Sequence, residues 1–200
     1  AMIKPLTSCI ICLGLALGAI LKADTARINT QVAFFPLSGQ AWRGVYYAPD
    51  GDPARGLASI RFNPLERTLY MPYTGPRQFA LYVKARDADN RELHLPVASV
   101  TLEQTSRQIL LVQDTGQTLG ERYPGLRFAD DLNLGRMASI AVFPDTPRTF
   151  PPNSLVFFNA TGAEFVGVLA DQPIRLKPGL NPPLTLTPYL DEEITVGLAI

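Results

Sequence analysis

The chain is almost without the residues from which most catalytic and metal sites are built. It has 2 cysteines and 1 histidine in 200 residues, and both cysteines, Cys9 and Cys12, lie in one apolar stretch near the N-terminus. Removal of that stretch as a leader leaves no thiol, which excludes disulfides, thiolate metal ligation and a cysteine nucleophile from the mature chain. Charge is sparse as well. The formal net charge is +0, and without Lys4 and Lys22 there remain 16 cations against 18 anions. No basic run gives an electrostatic footing for nucleic acid or for anionic lipid. Arginine outnumbers lysine 14 to 4, a bias that suits fork-type recognition of carboxylates and that genomic base composition also produces. Beyond the N-terminus no helical apolar period is sustained for three turns.

The N-terminal residues have the layout of a secretory signal peptide. Lys4 precedes an apolar run from Cys9 to Leu21, and Lys22 follows it. The run is short of the roughly 20 residues that a membrane-crossing helix needs. Cleavage is expected after Ala23, with a weaker site after Gly18. In "LTSC", Leu6 to Cys9, the apolar segment follows the cysteine, the reverse of a lipoprotein box. The expectation is an exported protein, placed in the periplasm, on the cell surface or in the medium, with no stable membrane span after cleavage.

What remains reads as β structure throughout. Short runs rich in Val, Ile, Phe, Tyr and Thr are cut by Pro, Gly, Asn and Asp, the punctuation of a sandwich or barrel. Fifteen such runs lie between Thr30 and Ile200. Among them are Thr68 to Met71, Arg91 to Leu95, Ala98 to Leu102, Gln108 to Gln113, Ser154 to Asn159, Glu164 to Ala170, Pro173 to Lys177 and Ile194 to Ile200. "QILLVQ" and "SLVFFN" are apolar at successive positions, which predicts central strands covered on both faces. "FALYVKAR" and "RELHL" alternate, which predicts one wet face.

The predicted fold is all-β, an antiparallel, immunoglobulin-like β-sandwich in two units. A weak internal repeat supports the division. The stretches from Tyr73 to Leu102 and from Asn159 to Leu186 share a Thr-Gly turn, a strand, a polar turn and a strand pair ending in Thr-Leu. The expected organisation is a leader over residues 1–23, a first unit over 28–113, a linker over 114–125 and a second unit over 126–200. The sequence ends within the strand-like "EITVGLAI", so the second unit is expected to be truncated.

Chemistry-bearing clusters are few. His94 shares a strand face with Glu92 and reads as a surface histidine. Zinc hydrolysis needs three protein ligands, and a serine hydrolase needs a nucleophile on a sharp turn; neither pattern is present. Glycoside cleavage needs only two carboxylates, for which Asp130, Asp131 and Asp145 are candidates, beside Glu192 and Glu193. "PDGDP", Pro49 to Pro53, and "DADN", Asp87 to Asn90, bunch oxygen atoms as calcium loops do, but lack the full ligand spacing and read as turns. The aromatic set Trp42, Tyr46, Tyr47, Tyr70 and Tyr73 offers a stacking face for a glycan or a protein, although in "GVYYAP" one tyrosine must face the core if the other faces water. No metal ligand set, cofactor loop or catalytic residue is assigned.

Several motifs together resemble a group of exported proteins of Verrucomicrobia-type bacteria that has no established activity. They are "YTGPRQFALYV" from Tyr73, "PVASVTL" at Pro96 to Leu102, "ILLV" at Ile109 to Val112, "FPPNSLVFFNATG" at Phe150 to Gly162 and "LKPG" at Leu176 to Gly179. The resemblance spans Thr30 to Thr187 and implies export, β structure and further strands after Ile200. Where that group tends to carry paired aspartates before the Phe-Pro segment, this chain has the single Asp145.

These readings combine into an exported, non-catalytic structural or binding module of the cell envelope, with an envelope protein or a glycan as partner and Trp42, Tyr46, Tyr47 and Tyr73 as its contact face. The alternatives are a carboxylate-based carbohydrate-active enzyme and a subunit that completes an open sheet with a partner's strand.

Overall fold

The computed structural model describes residues 27–37, 41–189 and 193–199. The expected leader, Glu192 and Ile200 lie outside them. The first strand, β1 (Arg27–Pro36), turns Ile28, Thr30, Val32 and Phe34 inward at every second position, as a two-residue side-chain period requires. It pairs antiparallel with β4 (Met71–Pro76) and parallel with β7 (Arg107–Thr118), and β7 pairs antiparallel with β9 (Arg136–Pro144). The resulting sheet has the order β4-β1-β7-β9. A second sheet runs β3 (Ala58–Ser59), β2 (Val45–Tyr47), β5 (Gln78–Arg86), β6 (Glu92–Thr101), with β8 (Arg127–Phe128) alongside the end of β5.

The two sheets enclose one large apolar core. Val32, Phe34, Leu110 and Val112 meet Val45, Phe79, Leu81, Val83 and Val97 there, and all nine are essentially inaccessible. Burying each such side chain contributes about 1.5–3 kcal/mol, which makes this core the main source of stability. Its one buried polar pair is satisfied. Gln108 donates through Nε2 to Thr30 Oγ1 at 3.2 Å and accepts from the Glu103 amide at 2.8 Å. The protein is therefore all-β with packed sheets, as expected, and among the described residues the strand pairing is antiparallel except for the parallel β1–β7 ladder.

Several boundaries differ from those read in the sequence. The expected split between Leu95 and Ala98 is absent because β6 passes through Pro96 at a bulge, where Leu81 pairs with Ala98 and Tyr82 with Pro96. A bulge is one of the few places where a sheet tolerates the missing proline N–H. The run at Thr68 to Met71 gives way to β4, whose Pro72 and Pro76 are accommodated on an edge strand. "QILLVQ" does form the centre of its sheet, but "SLVFFN" breaks into β10 (Ser154–Leu155) and β11 (Phe158–Asn159), which pair with different partners.

The expected linker over 114–125 is corrected most clearly. Asp114 to Thr118 continue β7 along β9, and a short helix α1 (Leu119–Arg122) follows, with Leu119 buried in the first core. Thr118 and Glu121 form a reciprocal capping box, Glu121 N to Thr118 Oγ1 at 3.2 Å and Thr118 N to Glu121 Oε2 at 2.8 Å. That Thr-x-x-Glu signal stands in the sequence. Strands β8 and β9, expected in a second unit, belong to the first core.

A smaller apolar cluster follows, formed by Leu169, Ile174 and Leu176 with Leu155, Phe157, Phe165 and Leu184 against them. It rests on a three-stranded sheet with the order β13 (Gln172–Leu176), β12 (Phe165–Leu169), β16 (Val196–Ala199). Two two-residue ladders complete the region: β10 with β15 (Leu184–Thr185), and β11 with β14 (Gly179–Leu180). No helix among the described residues is long and apolar enough to cross a membrane.

Candidate functional site

The aromatic face expected at Trp42, Tyr46, Tyr47 and Tyr73 does not form, because three of the four side chains are core residues. Trp42 packs edge-on against Phe62 at 5.3 Å, Tyr73 edge-on against Phe79 at 5.2 Å, and Tyr47 lies 6.1 Å from Phe34. Their exposures are 3%, 1% and 2%. The two buried phenols are anchored to edge-strand carbonyls, Tyr47 Oη to Pro72 O at 3.2 Å and Tyr73 Oη to Pro76 O at 2.7 Å. Burial raises the Tyr47 phenol above its ordinary value and pushes that of Tyr73 up to about 12. Tyr46 takes the outward position beside Tyr47, as strand alternation requires, and there the Lys84 ammonium stands 5.4 Å from its ring.

The carboxylate candidates are separated. Asp130 is exposed and lines a cleft of about 300 Å³ with Lys84, Arg86, Glu92 and Arg127. In that cleft Glu92 pairs with Lys84 at 3.1 Å and with His94 Nε2 at 3.2 Å, and these contacts, Lys84 first, hold its carboxyl below the usual range. His94 also approaches the Pro53 carbonyl through Nδ1 at 3.1 Å. Asp131 is exposed, and Asp145 lines a different cleft with Asn29, Gln31 and Arg107. The two oxygen-rich loops use their carboxylates as turn acceptors: Asp50 for the Asp52 amide, and Asp87 for the Asp89 and Arg91 amides, at 2.9–3.0 Å. No group of three His, Cys, Asp or Glu side chains that could hold a metal occurs among the described residues.

Asn159, formally a glycosylation sequon, is a buried structural clamp. Its Nδ2 donates to Ala163 O at 2.8 Å and to Leu176 O at 3.1 Å, and its Oδ1 accepts from the Thr161 amide at 3.0 Å. Asn181 plays a comparable part, linking the Lys177 amide and carbonyl at 2.9 Å each. Sequence reasoning missed Asn181, since nothing distinguishes it from an ordinary turn asparagine.

Two features do gather uncommon chemistry. The first is Tyr70, an expected aromatic with a role that its sequence context hides. Its hydroxyl donates to Asp145, and the guanidiniums of Arg67 and Arg107 lie over its ring at 4.6 and 5.1 Å. Burial, then the Asp145 carboxylate, push the phenol up to about 12 against the opposing pull of the two arginines. The cluster carries two cations and one anion, brought together from separate strands and loops.

The second feature is the sheet edge at β16. In the register of this sheet Val196 stands opposite Leu169, and Leu198 opposite Gly167. Paired residues share a face, so Val196 and Leu198 point to the side on which Leu169 and Ile174 are buried. Yet they remain 42% and 48% exposed. The small core does not reach across β16. On the opposite face Val166 and Val168 are also about half exposed. Among the described residues no strand pairs with the outer edge of β16, and its sequence, Val-Gly-Leu-Ala, carries no charge and no proline.

No family model, curated protein or solved structure matches the chain. Nothing in these comparisons links the chain to the exported Verrucomicrobia-type group.

Proposed function

We propose that the chain is an exported, non-catalytic structural or binding module of the bacterial cell envelope, and that it engages a partner by strand addition along β16. The open edge carries this reading. Sheet proteins blunt their edges with lysine, proline, bulges or a covering loop, because an unpaired row of N–H and C=O groups is a template for another chain. Residues Val196 to Ala199 have none of the sequence devices and leave their apolar side chains half exposed. In such pairing the backbone supplies affinity, and side chains such as Val196 and Leu198 supply selectivity. The leader-like N-terminus supports export, and the two apolar clusters support two units, the larger with two sheets packed on one core.

The carboxylate-enzyme alternative has weaker support. Asp130 and Asp145 line separate clefts, and Glu92, the other acid lining the Asp130 cleft, has its carboxyl held below the usual range. A general acid for glycoside cleavage needs the opposite shift.

The test is recovery of the full exported protein from its native envelope. A discrete protein partner is expected to co-purify, and Leu198→Lys or Val196→Lys should lower its yield about tenfold with the circular dichroism spectrum unchanged. Equal recovery with both variants would refute contact through β16.

A further inference from the structure

Part of the outer face of the β4-β1-β7-β9 sheet, centred on β7, is apolar and is not fully covered. On β7 the buried Leu110 and Val112 alternate with Ile109 and Leu111, which point away from the main core and are only half-buried. Register places Leu111 beside Phe35 and Ile109 beside Phe143, so these four form one continuous apolar floor. Above it stand Val156, Phe158 and Leu180, the last two paired with each other across the β11–β14 ladder. Phe158 meets Phe143 edge-on at 5.4 Å.

Between floor and roof lies a cavity of about 370 Å³, within the volume range of small-molecule sites. Protein interiors pack to the density of organic crystals, yet not one apolar side chain around this space is fully buried. Its single charged lining group is Arg67. The Arg67 guanidinium is exposed, lies over Tyr70 and has no carboxylate partner among the described residues. With Arg107 over the same ring, two cations face the one carboxylate of Asp145, which is engaged by the Tyr70 hydroxyl. An apolar slot with an unneutralised guanidinium at its rim is complementary to a molecule with an apolar tail and an anionic head.

We propose that this cavity binds a free single-chain amphipathic acid, its alkyl or aryl tail held between the sheet and the β11–β14 ladder and its acid group at Arg67. The site lies on other residues than the β16 edge, so either can fail without the other.

Calorimetric titration of the full chain with dodecanoate below its micellar concentration tests the proposal, beside dodecanol and dodecyltrimethylammonium of equal chain length. One dodecanoate per chain is expected, with the cationic analogue bound at least about tenfold more weakly, since it cannot accept a charge-assisted hydrogen bond from Arg67. Arg67→Gln, at an exposed position, should remove most of the preference for dodecanoate over dodecanol. Leu111→Trp or Val156→Phe should abolish binding of both by filling the slot, with thermal melting confirming that the variant is folded. Absence of stoichiometric binding, equal affinity for the cation, or a preference unchanged in Arg67→Gln would each overturn it. Binding seen only with anionic phospholipid vesicles would also overturn it, by showing a membrane surface rather than a free acid as the ligand.

Discussion

At the scale of single residues, the same side-chain types do opposite work depending on which way a strand turns them. Tyr46 and Tyr47 are adjacent in sequence, yet one meets Lys84 at the surface and the other hydrogen-bonds Pro72 inside. That opposition was legible in "GVYYAP"; which tyrosine faced inward was not, because it depends on how β2 pairs with β5. Tyr73 gives a testable consequence. Its phenol is raised from 10.0 to about 12, chiefly by burial, so the folded state holds the proton more tightly than the unfolded state does. The stability this contributes is fully present below pH 10.0 and is lost as pH rises through about 12. Tyr73→Phe should cost about 1 kcal/mol at neutral pH, through the lost bond to Pro76, and should make the alkaline decline shallower. Urea unfolding across that pH window checks both effects, and an unchanged decline would count against a buried, neutral Tyr73.

At the scale of elements, alternation and turn chemistry predicted most strands, and the misses share a cause. Pro96 and Pro72 read as strand breakers, but a bulge and an edge position remove the conflict, and neither can be seen before pairing is known. "SLVFFN" read as one central strand, but Ser154 and Leu155 pair with Thr185 and Leu184 while Phe158 and Asn159 pair with Leu180 and Gly179; a run of apolar residues says nothing about partner choice. The β16 strand depends on a glycine. A Cβ on Gly167 would fall far inside 3.0 Å of the Gly197 carbonyl oxygen, a backbone atom of the neighbouring strand. Gly167→Ala should therefore loosen β16 from β12 and leave the main core intact. Hydrogen exchange should show faster amide exchange over Val196 to Ala199 and no change at Leu81 or Leu110. Protection equal to that of the parent protein would mean that β16 is not held as described.

At the scale of the whole molecule, the organisation differs from the expected two units divided at 114–125. The first core extends through β9 to Pro144, and the linker expectation failed because Asp114 to Thr118, polar and with a glycine, continue a strand whose partner lies further along the chain. The all-β architecture was legible from the rhythm of short apolar runs. The contact surfaces were not: the expected aromatic face is core, and the half-exposed Val196 and Leu198 look in sequence like any buried strand. Exposure of apolar residues on an unpaired edge is a property of what fails to cover them, and only assembly of the fold reveals it.

The central claim, that β16 is the surface through which the chain is bound, is tested most directly by placing a photo-crosslinking residue at Leu198 and irradiating the intact envelope. Leu65 on a separate loop, 78% exposed, is the control. The account predicts a discrete crosslinked species from position 198 and none from position 65. Crosslinking at Leu198 no stronger than at Leu65 would contradict it.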